Sequence, residues 1–384
     1  MDETTNDLLR HYFSLSAWAE SVAEAGAKVT VFQRYSHPAT VTQNGVTYHF
    51  IADRWGARLR GWQMPRAMHR DVRTAINPQE PTVIHVNGLL FPLQIRHLRA
   101  LLPRSCALVV QHHAEVPWPA ASRRLQHWAL AGADGFLFTN HDLAQPWLES
   151  GVIASPALIH AVMETSSPLA FEARATARVK SGLHGRPVIL WTGNLKPNKD
   201  PLTILAGFER VLVAAPEARL YMAYRCGDIL PQVEARIAQS ELLSAAVILL
   251  GAIPHAEIAA YYNSADIFVQ GSAREGSGIA LLDALACGVV PVVTDIPSFR
   301  TITADGQVGH LWPVGDVNGF TEALRTAIDR LDERQSRQIR RFFETHWHFS
   351  MLGRNALQVY EAVLNDRLGL TPSDGRRPTT DRLL

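Results

Sequence analysis

The chain has 384 residues, of which 47% are hydrophobic and 19% charged, and its formal net charge is +1. This length favours two domains over one core, the composition is that of a globular protein, and the near-zero charge argues against a nucleic-acid partner. The three cysteines, Cys106, Cys226 and Cys287, lack metal-ligand spacing, and no apolar run reaches the ~18 residues of a membrane span. Because the start is polar and unlike a signal peptide, we expect a cytoplasmic protein.

Short apolar runs alternate with helical segments along most of the chain. The predicted strands are 28–33, 46–51, 82–86, 107–111, 135–139 and 157–162, and then 187–192, 219–224, 246–250, 266–270 and 289–294. Several of these runs are continuously apolar and β-branched, as expected for strands buried on both faces. The alternation predicts an α/β fold with parallel sheets covered by helices.

The segment 164–186 has no clear period and is rich in Ser, Ala, Arg and Gly, which predicts a linker. We therefore expect an N-terminal domain over 1–163, a second domain over 187–350, a C-terminal helix over 351–368 and a polar tail over 369–384. The first predicted element is an amphipathic helix over 8–25. No strand candidate precedes it, although nucleotide-binding domains normally open with a strand and a Gly-rich turn, so the first strand of this domain is expected to be missing.

The strongest local pattern is DIFVQGSAREGSGIALLDALACGVVPVVTD, residues 266–295, which predicts a strand, a Gly-rich loop, a short helix and another strand. Gly276 and Gly278 would let a ligand approach the backbone, and the helix start is suited to phosphate or sugar oxygens. Glu275 would lie at the mouth of this site, and Asp283 a little over one turn into the helix. Carboxylates accept hydrogen bonds from vicinal hydroxyls, which suits a ribose and a hexose. A plain Gly-rich turn with a helix-capping acid is an equally weighted interpretation.

A second loop of interest is WTGNLKPNKDP, residues 191–201, which also follows a predicted strand and precedes a helix. Lys199 is a point charge suited to a diphosphate, although most loop lysines are merely solvated. One cationic loop and one Gly-rich acidic loop in the same domain together predict a nucleotide-diphosphate pocket.

Several other enzyme classes lack their motifs here. The sequence contains no His-Glu-x-x-His, no Gly-x-x-x-x-Gly-Lys and no Gly-x-Gly-x-x-Gly. This disfavours a histidine-based metal site, a phosphate-loop NTPase and a nicotinamide dehydrogenase. An Asp-x-Asp pair, typical of metal-dependent sugar transfer, is also missing from the sequence.

These loops resemble the retaining GT-B glycosyltransferases of family 4, which include mannosyl- and glucosyltransferases of bacterial glycans and glycolipids. EGSGIALLDALACGVVPVV is similar to the family's paired acids at a spacing of eight, with Glu275 first and Asp283 in place of the second glutamate. GNLKPNK retains Gly193 and Lys199 of a Gly-Arg…Lys motif and has Asn194 where the family has arginine. AYYNSADIFV at 260–269 and GHLWPVGD at 309–316 are further matches.

The resemblance implies a fold and a set of site residues. The fold would be two Rossmann-like domains facing each other across a cleft, with a C-terminal helix able to cross back to the first domain. The implied catalytic residues are Glu275, His113 and Lys199. The implied donor-binding residues are Gly193, Asn194, Lys199, Glu275, Gly276, Ser277, Gly278, Ile279 and Asp283.

The resemblance also implies a role for each group. Lys199 would balance the diphosphate with the backbone N–H groups of Gly276–Ile279, Glu275 would bind hexose hydroxyls, and Asp283 would hold the ribose. His113, in VVQHHAE, would face the sugar, with His112 as the alternative register. No metal or cofactor is implied.

The predicted function is metal-independent, retaining transfer of a hexose from a nucleotide-diphosphate sugar to an unknown glycan, lipid or small-molecule acceptor. Two alternatives remain open: a nucleotide-sugar epimerase or hydrolase of the same fold, and a non-catalytic GT-B protein that only binds. A stretch of arginines and tryptophans over 54–73 would suit contact with a membrane surface, although a solvated face is the favoured interpretation.

Overall fold

The structure is a computed structural model that describes residues 13–53, 63–113 and 115–370. These residues form two compact units. The first unit extends to Thr165 and resumes at Phe349, and the second is Ser166–His348.

The first unit alternates strands and helices. Its elements before Thr165 are α1 Phe13–Glu24, β1 Val29–Tyr35, β2 Ala39–Gln43, β3 Val46–Ala52, α2 Arg66–Ala75, β4 Thr82–Asn87, α3 Pro92–Leu101, β5 Cys106–Gln111, α4 Arg123–Leu130, β6 Gly135–Phe138, α5 His141–Glu149 and β7 Ile159–Ala161. They form two sheets, one of order β1-β3-β2 and one of order β4-β5-β6-β7. The four-stranded sheet is parallel throughout, and β1 pairs in parallel with β3, whereas β2 and β3 form an antiparallel hairpin. Every residue of β5 and β6 is buried, as the apolar sequences CALVVQ and GFLF require.

The second unit has a single parallel sheet. Its elements are α6 Arg174–Ser181, β8 Val188–Thr192, α7 Pro201–Leu212, β9 Arg219–Ala223, α8 Leu230–Ala238, α9 Glu241–Ala246, β10 Val247–Gly251, α10 Ile258–Ser264, β11 Ile267–Gln270, α11 Ile279–Ala286, β12 Val290–Thr294, α12 Pro297–Thr303, β13 His310–Trp312, α13 Val317–Asp329 and α14 Glu333–His346. The strand order is β10-β9-β8-β11-β12-β13. The chain therefore builds outward in one direction from β8 and in the other from β11, which makes the β8/β11 border the topological switch point.

The last helix, α15 Phe349–Leu368, belongs to the first unit and packs against α1. The two helices approach so closely at Gly353 that a Cβ there would lie 2.0 Å from the carbonyl oxygen of Ser21. Trp18 Nε1 donates a hydrogen bond of 3.1 Å to the Tyr360 hydroxyl across the same contact. A glycine is thus required for this helix pair to form.

The predicted α/β class with parallel sheets is confirmed, and each predicted strand is present. The strands β2 and β13 were not predicted. β2 is the first half of a hairpin whose turn, Asn44 and Gly45, has φ of 47° and 78°. That Asn-Gly pair is itself a hairpin signal in the sequence. β13 has only three residues, too few for a periodic pattern.

Some predictions concern segments that the structure describes only partly. The predicted helix 8–25 is described from Phe13 on, and the predicted tail only at Gly369 and Leu370. Within the predicted linker, α6 is held to the second unit by Arg178, whose Nη2 lies 2.7 Å from Asp266 Oδ2. The predicted domain bounds stay a prediction.

The basic and aromatic stretch also falls partly outside the described residues. Positions 54–62 are not described, and α2 carries Arg66, Arg70 and Arg73. Among the described helices, none is long and apolar enough to cross a membrane.

Candidate functional site

Two loops of the second unit meet at the switch point of its sheet. One follows β8 and carries Lys199, and the other follows β11 and carries Glu275. Because β8 and β11 are neighbouring parallel strands, their carboxyl ends open at the same place. The strand order therefore brings together two loops that are far apart in the sequence.

The Lys199 and Glu275 side chains are in direct contact. Lys199 Nζ forms an ion pair with Glu275 Oε1, and the two side chains are only 18% and 15% exposed. The same Oε1 accepts hydrogen bonds from Ser272 Oγ at 2.6 Å and from Gln270 Nε2 at 3.3 Å. Three donors thus hold one carboxylate oxygen, and the cation and the acid predicted from separate motifs lie in one site.

The backbones of the two loops are also joined. The Ala273 N–H donates to the Asn198 carbonyl at 2.9 Å, and Thr294 Oγ1 donates to the Ser272 carbonyl at 2.6 Å. At Gly271, a Cβ would lie 3.0 Å from the Asp200 carbonyl oxygen, so this close approach favours glycine. The positions of Lys199 and Glu275 are consequently fixed by main-chain contacts as well as by their own ion pair.

The helix that follows the Gly-rich loop begins without a side-chain cap. Gly278 precedes α11 with φ of 59°, and a Cβ there would lie 2.6 Å from Ile302 Cδ1. Ile279, the first helical residue, is 41% exposed. Gly276 and Ser277 are partly exposed beside it. The uncapped amide groups and the positive end of the helix dipole at this point suit an anion.

The hydrogen bond that the structure describes for Asp283 involves neither Lys199 nor Glu275. Ser167 Oγ donates to Asp283 Oδ1 at 2.6 Å. Burial raises the pKa of Asp283 to about 6, and the Ser167 hydrogen bond partly offsets this effect. Among the described contacts, none joins Asp283 to Glu275. Asp283 instead lies in a more buried environment, next to Tyr262 and Cys287.

Gly193 and Asn194 lie just beyond the end of β8. The Gly193 N–H donates to the Ala223 carbonyl at 3.1 Å, and a Cβ on this glycine would lie 3.3 Å from the Trp191 ring. Asn194 Oδ1 accepts a hydrogen bond of 3.2 Å from the Cys226 N–H. The Asn194 oxygen therefore stabilises the neighbouring loop, and within the described part of the chain its Nδ2 group has no partner.

In the first unit, His113 lies at the carboxyl ends of β4 and β5. Its ring is hydrogen-bonded on one side to Asn87 Oδ1 and on the other to Glu164. Burial lowers the pKa of His113, but the hydrogen bond and charge of Glu164, together with Glu115, outweigh it, so the pKa lies above its ordinary value. Asn87 and Glu164 were not predicted from sequence. Asn87 could have been found as the polar residue directly after the predicted strand 82–86.

His112, the alternative register, has a different environment. Its ring is buried and stacks on Phe138 at 4.6 Å between centroids. Burial lowers its pKa. Of the two adjacent histidines, His113 is the one that is partly exposed, at 35% of its side chain.

The described residues contain no group of three or more metal-ligating side chains. The chemistry of the second-unit site is that of one lysine, one partly buried carboxylate, small polar side chains and a helix start. Such a set can bind a polyanion next to a polyhydroxyl group.

Comparison of the sequence with known proteins finds glycosyltransferases. The family model of glycosyl transferases, group 1, matches residues 173–341. The phosphatidyl-myo-inositol mannosyltransferase of Mycolicibacterium smegmatis is 29% identical over 181 residues, which are 47% of this chain and 46% of that protein. A D-inositol 3-phosphate glycosyltransferase of Rhodococcus erythropolis is 26% identical over 272 residues, 68% of this chain and 61% of that protein. The chain thus matches less than two thirds of the length of these relatives.

Solved structures match over nearly the whole chain. Sucrose-phosphate synthase of Thermosynechococcus elongatus has a TM-score of 0.70 at 17% identity and covers 93% of this chain and 94% of its own. A glycosyltransferase of Rickettsia africae has a TM-score of 0.66 at 12% identity, with 92% and 95% covered. At such identities the likeness concerns the fold, which is that of GT-B glycosyltransferases with two Rossmann-like domains. The chain therefore has the GT-B fold, and its residues 173–341 match the group 1 glycosyltransferase family.

Proposed function

We propose that the protein is a retaining glycosyltransferase that moves a hexose from a nucleotide-diphosphate sugar to a glycan, lipid or small-molecule acceptor. The observation that carries the proposal is the meeting of Lys199 and Glu275 at the sheet's switch point, beside an uncapped helix start. The family match over the same residues supports it.

In this proposal, the donor diphosphate lies between Lys199 and the start of α11. The departing diphosphate carries developing negative charge, which preorganised cations and N–H groups stabilise. Lys199 supplies the cation, and the amides of Gly276–Ile279 supply donors. In the free protein the Glu275 ion pair keeps Lys199 in place, and a bound diphosphate would compete for it.

Glu275 is proposed to accept hydrogen bonds from hydroxyls of the transferred hexose. Its Oε1 is already engaged by three donors, which leaves Oε2 for the sugar. A carboxylate at this position would also stabilise the positive charge that develops on the sugar ring in the transition state.

Asp283 is proposed to hold the ribose. Ser167 engages Oδ1 of this carboxylate, so Oδ2 is the atom offered to the ribose hydroxyls. Asn194 would contribute an Nδ2 donor to the donor site, next to the main chain of Gly193. His113 is proposed as the sugar-facing group of the first unit, with its ring orientation set by Asn87 and Glu164.

The names of the matched relatives suggest acceptors to test first. Two of them are named for inositol compounds, a phosphatidyl-myo-inositol and a D-inositol 3-phosphate. We propose that a polyol of this kind is the acceptor class. Cytoplasmic location and metal independence are part of the same proposal.

The experiment starts with thermal shift of the purified chain against UDP, GDP and ADP, because a ligand that binds the folded state raises the melting temperature. The sugar derivatives of the best nucleotide are then incubated with phosphatidylinositol, with inositol 3-phosphate or with buffer alone, in magnesium and in EDTA. A glycosylated acceptor with the donor's anomeric configuration, formed in EDTA, supports the proposal. Free sugar formed equally with and without acceptor would identify a hydrolase, and nucleotide binding without any turnover would identify a binding protein.

A further inference from the structure

The loop that follows β9, residues 224–229, carries an exposed arginine, Arg225. Arg225 lies shortly beyond Ala223, the residue that ends β9. Within the described part of the chain, its side chain has no ion pair and no hydrogen bond. Asp228, the acid of the same loop, is also exposed and is not paired with it. Most exposed arginines are merely solvated, so the position of Arg225 in the sheet decides what this side chain can bind.

Strand β9 borders β8, the strand that leads into the Lys199 loop. The order within the sheet is β9-β8-β11, and β8 and β9 are parallel, with Thr192 opposite Ala223. The loops after all three strands therefore open at the same edge of the sheet, where ligands of such sheets bind. Neighbouring strands are about 4.8 Å apart. The loop after β9 consequently flanks the start of the Lys199 loop on one side, as the Glu275 loop flanks it on the other.

Hydrogen bonds join the two loops right beside Arg225. The Cys226 N–H donates to Asn194 Oδ1 at 3.2 Å, and the Leu195 N–H donates to the Cys226 carbonyl at 2.8 Å. The Ile229 N–H donates to the Leu195 carbonyl at 3.1 Å. The main chain next to Arg225 is therefore fixed against the Lys199 loop before any ligand binds. Only the Arg225 side chain would have to be ordered on binding, which keeps the entropic cost small.

The charges of the proposed donor site call for a second cation. In the free protein, Lys199 is paired with Glu275, so their two charges cancel. Asn194, in the same loop as Lys199, is neutral. A nucleoside diphosphate carries several negative charges, and phosphate oxygens are bound most strongly by charged donors. Arginine suits this task, because its planar guanidinium can donate parallel N–H groups to phosphate oxygens.

We propose that Arg225 is a second donor-binding cation, which pairs with the diphosphate from the β9 side while Lys199 pairs with it from the β11 side. The diphosphate would then lie across the carboxyl end of β8, between the two cations. Arg225 would also stabilise the negative charge that develops on the departing diphosphate. This inference rests on the proposed function, because it adds one residue to the same donor site.

A guanidinium at this place could instead stack on the base of the nucleotide, since arginine also stacks on aromatic rings. The two contacts depend differently on the phosphates of the ligand. Loss of a phosphate contact weakens binding of the diphosphate most and leaves binding of the free nucleoside unchanged. Loss of a stacking contact weakens binding of both ligands equally. Ligands that differ only in the number of phosphates therefore separate the two contacts.

The test is titration calorimetry of Arg225→Gln with the nucleoside, the nucleoside monophosphate and the nucleoside diphosphate of the base that binds best in the thermal shift screen. We expect the affinity for the diphosphate to fall by about 5- to 10-fold. The affinity for the nucleoside should change by less than about twofold, and the monophosphate should lie between. Arg225→Lys keeps the charge and should retain more of the diphosphate affinity than Arg225→Gln. Because the Arg225 side chain has no described contact, the melting temperatures of both variants should equal that of the wild type.

Arg186→Gln is the matched control. Arg186 is also exposed and has no ion pair within the described residues. It lies just before β8 begins at Val188, and so at the opposite edge of the sheet. The control changes the net charge by the same amount as Arg225→Gln. It should bind the diphosphate within about twofold of the wild type, because salt screens a charge at that distance.

Three results would overturn the inference. If Arg225→Gln binds the diphosphate like the wild type while Lys199→Met binds it more weakly, Arg225 is not a donor-binding residue, and the proposed function stands. If Arg225→Gln loses affinity for the nucleoside and for the diphosphate equally, Arg225 contacts the base and not the phosphates. If the wild type binds no nucleoside diphosphate at all, the proposed function fails together with the inference.

Discussion

Replacing Lys199 by methionine tests the proposed donor site most directly. Methionine keeps much of the length of the side chain and removes the ammonium group, with both its charge and its N–H donors. In the free protein, this breaks the ion pair with Glu275, whose carboxylate keeps the hydrogen bonds from Ser272 and Gln270. The fold should therefore survive, and the loss should appear in ligand binding.

The magnitude follows from the contacts that are exchanged. A hydrogen bond to a charged group contributes about 1.5–3 kcal/mol, and Lys199 is 82% buried, so the charge acts with little screening. Part of this binding energy is offset, because Lys199 must break its ion pair with Glu275 in order to contact the diphosphate. We expect a net loss of about 1.5–2.5 kcal/mol, which weakens nucleoside-diphosphate binding by about 10- to 70-fold.

The assay is titration calorimetry with the preferred nucleoside diphosphate, with Lys196→Met as the matched control. Lys196 is exposed, lies three residues earlier in the same loop and has no ion pair within the described part of the chain. The control should bind within twofold of the wild type. If Lys199→Met also binds within twofold, the lysine does not meet the diphosphate and the proposed placement is wrong. A urea titration of both variants separates a binding defect from unfolding.

Three further predictions concern pH and backbone geometry. Because burial raises the folded-state pKa of Asp283 to about 6, its contribution to stability should decline as pH rises from about 4 to about 6. The Asp283→Asn variant lacks this decline. In urea titrations, the free energy of unfolding of the variant relative to that of the wild type should therefore rise by about 2–3 kcal/mol between pH 4 and pH 7. A difference that stays constant over this range would contradict the raised pKa of Asp283. Glu164→Gln should lower the pKa of His113 in an NMR titration. An unchanged value would mean that Glu164 does not hold the imidazolium. In the wild type, the pairing of Glu164 with His113 stabilises the fold fully below the ordinary pKa of histidine. This stabilisation is lost as pH rises through the raised pKa of His113. Gly278→Ala should cost about 2–4 kcal/mol in urea unfolding, because its φ of 59° is strained for alanine and a Cβ meets Ile302. Gly182→Ala is the control, because Gly182 has φ of 72° but open space around it, and it should lower the free energy of unfolding by about 1 kcal/mol. Equal losses in the two variants would show that the contact with Ile302 does not matter.

Much of the fold could be predicted because buried parallel strands have a local signature. Continuous β-branched runs such as VILWT at Val188–Thr192 are too apolar for any setting except the middle of a covered sheet. The hairpin strand Ala39–Gln43 was missed, although its Asn-Gly turn was in the sequence, because its polar, alternating residues do not form an apolar run. The Gly-rich loop was found because the structure favours glycine at Gly271, where the main chain of the other loop approaches closely, and at Gly278, where φ is positive.

The pairings of side chains could not be predicted in the same way. Glu164 is 51 positions from His113, and Ser167 is 116 positions from Asp283. Neither Glu164 nor Ser167 lies in a motif, and both fall in the segment 164–186 that the sequence predicts to be a linker. Their roles depend on where that segment runs over the strand ends.

The sequence by itself therefore determined the order of strands and helices and the chemical character of the two loops, since these depend on local periodicity and on glycine, lysine and glutamate at fixed spacings. Only the tertiary structure decided that β8 and β11 lie side by side, which brings Lys199 against Glu275 across 76 positions. It also decided that β1 and β4 belong to two separate sheets. Both outcomes depend on strand order, and strand order is set by the packing of whole sheets and helices, which no local stretch of residues encodes.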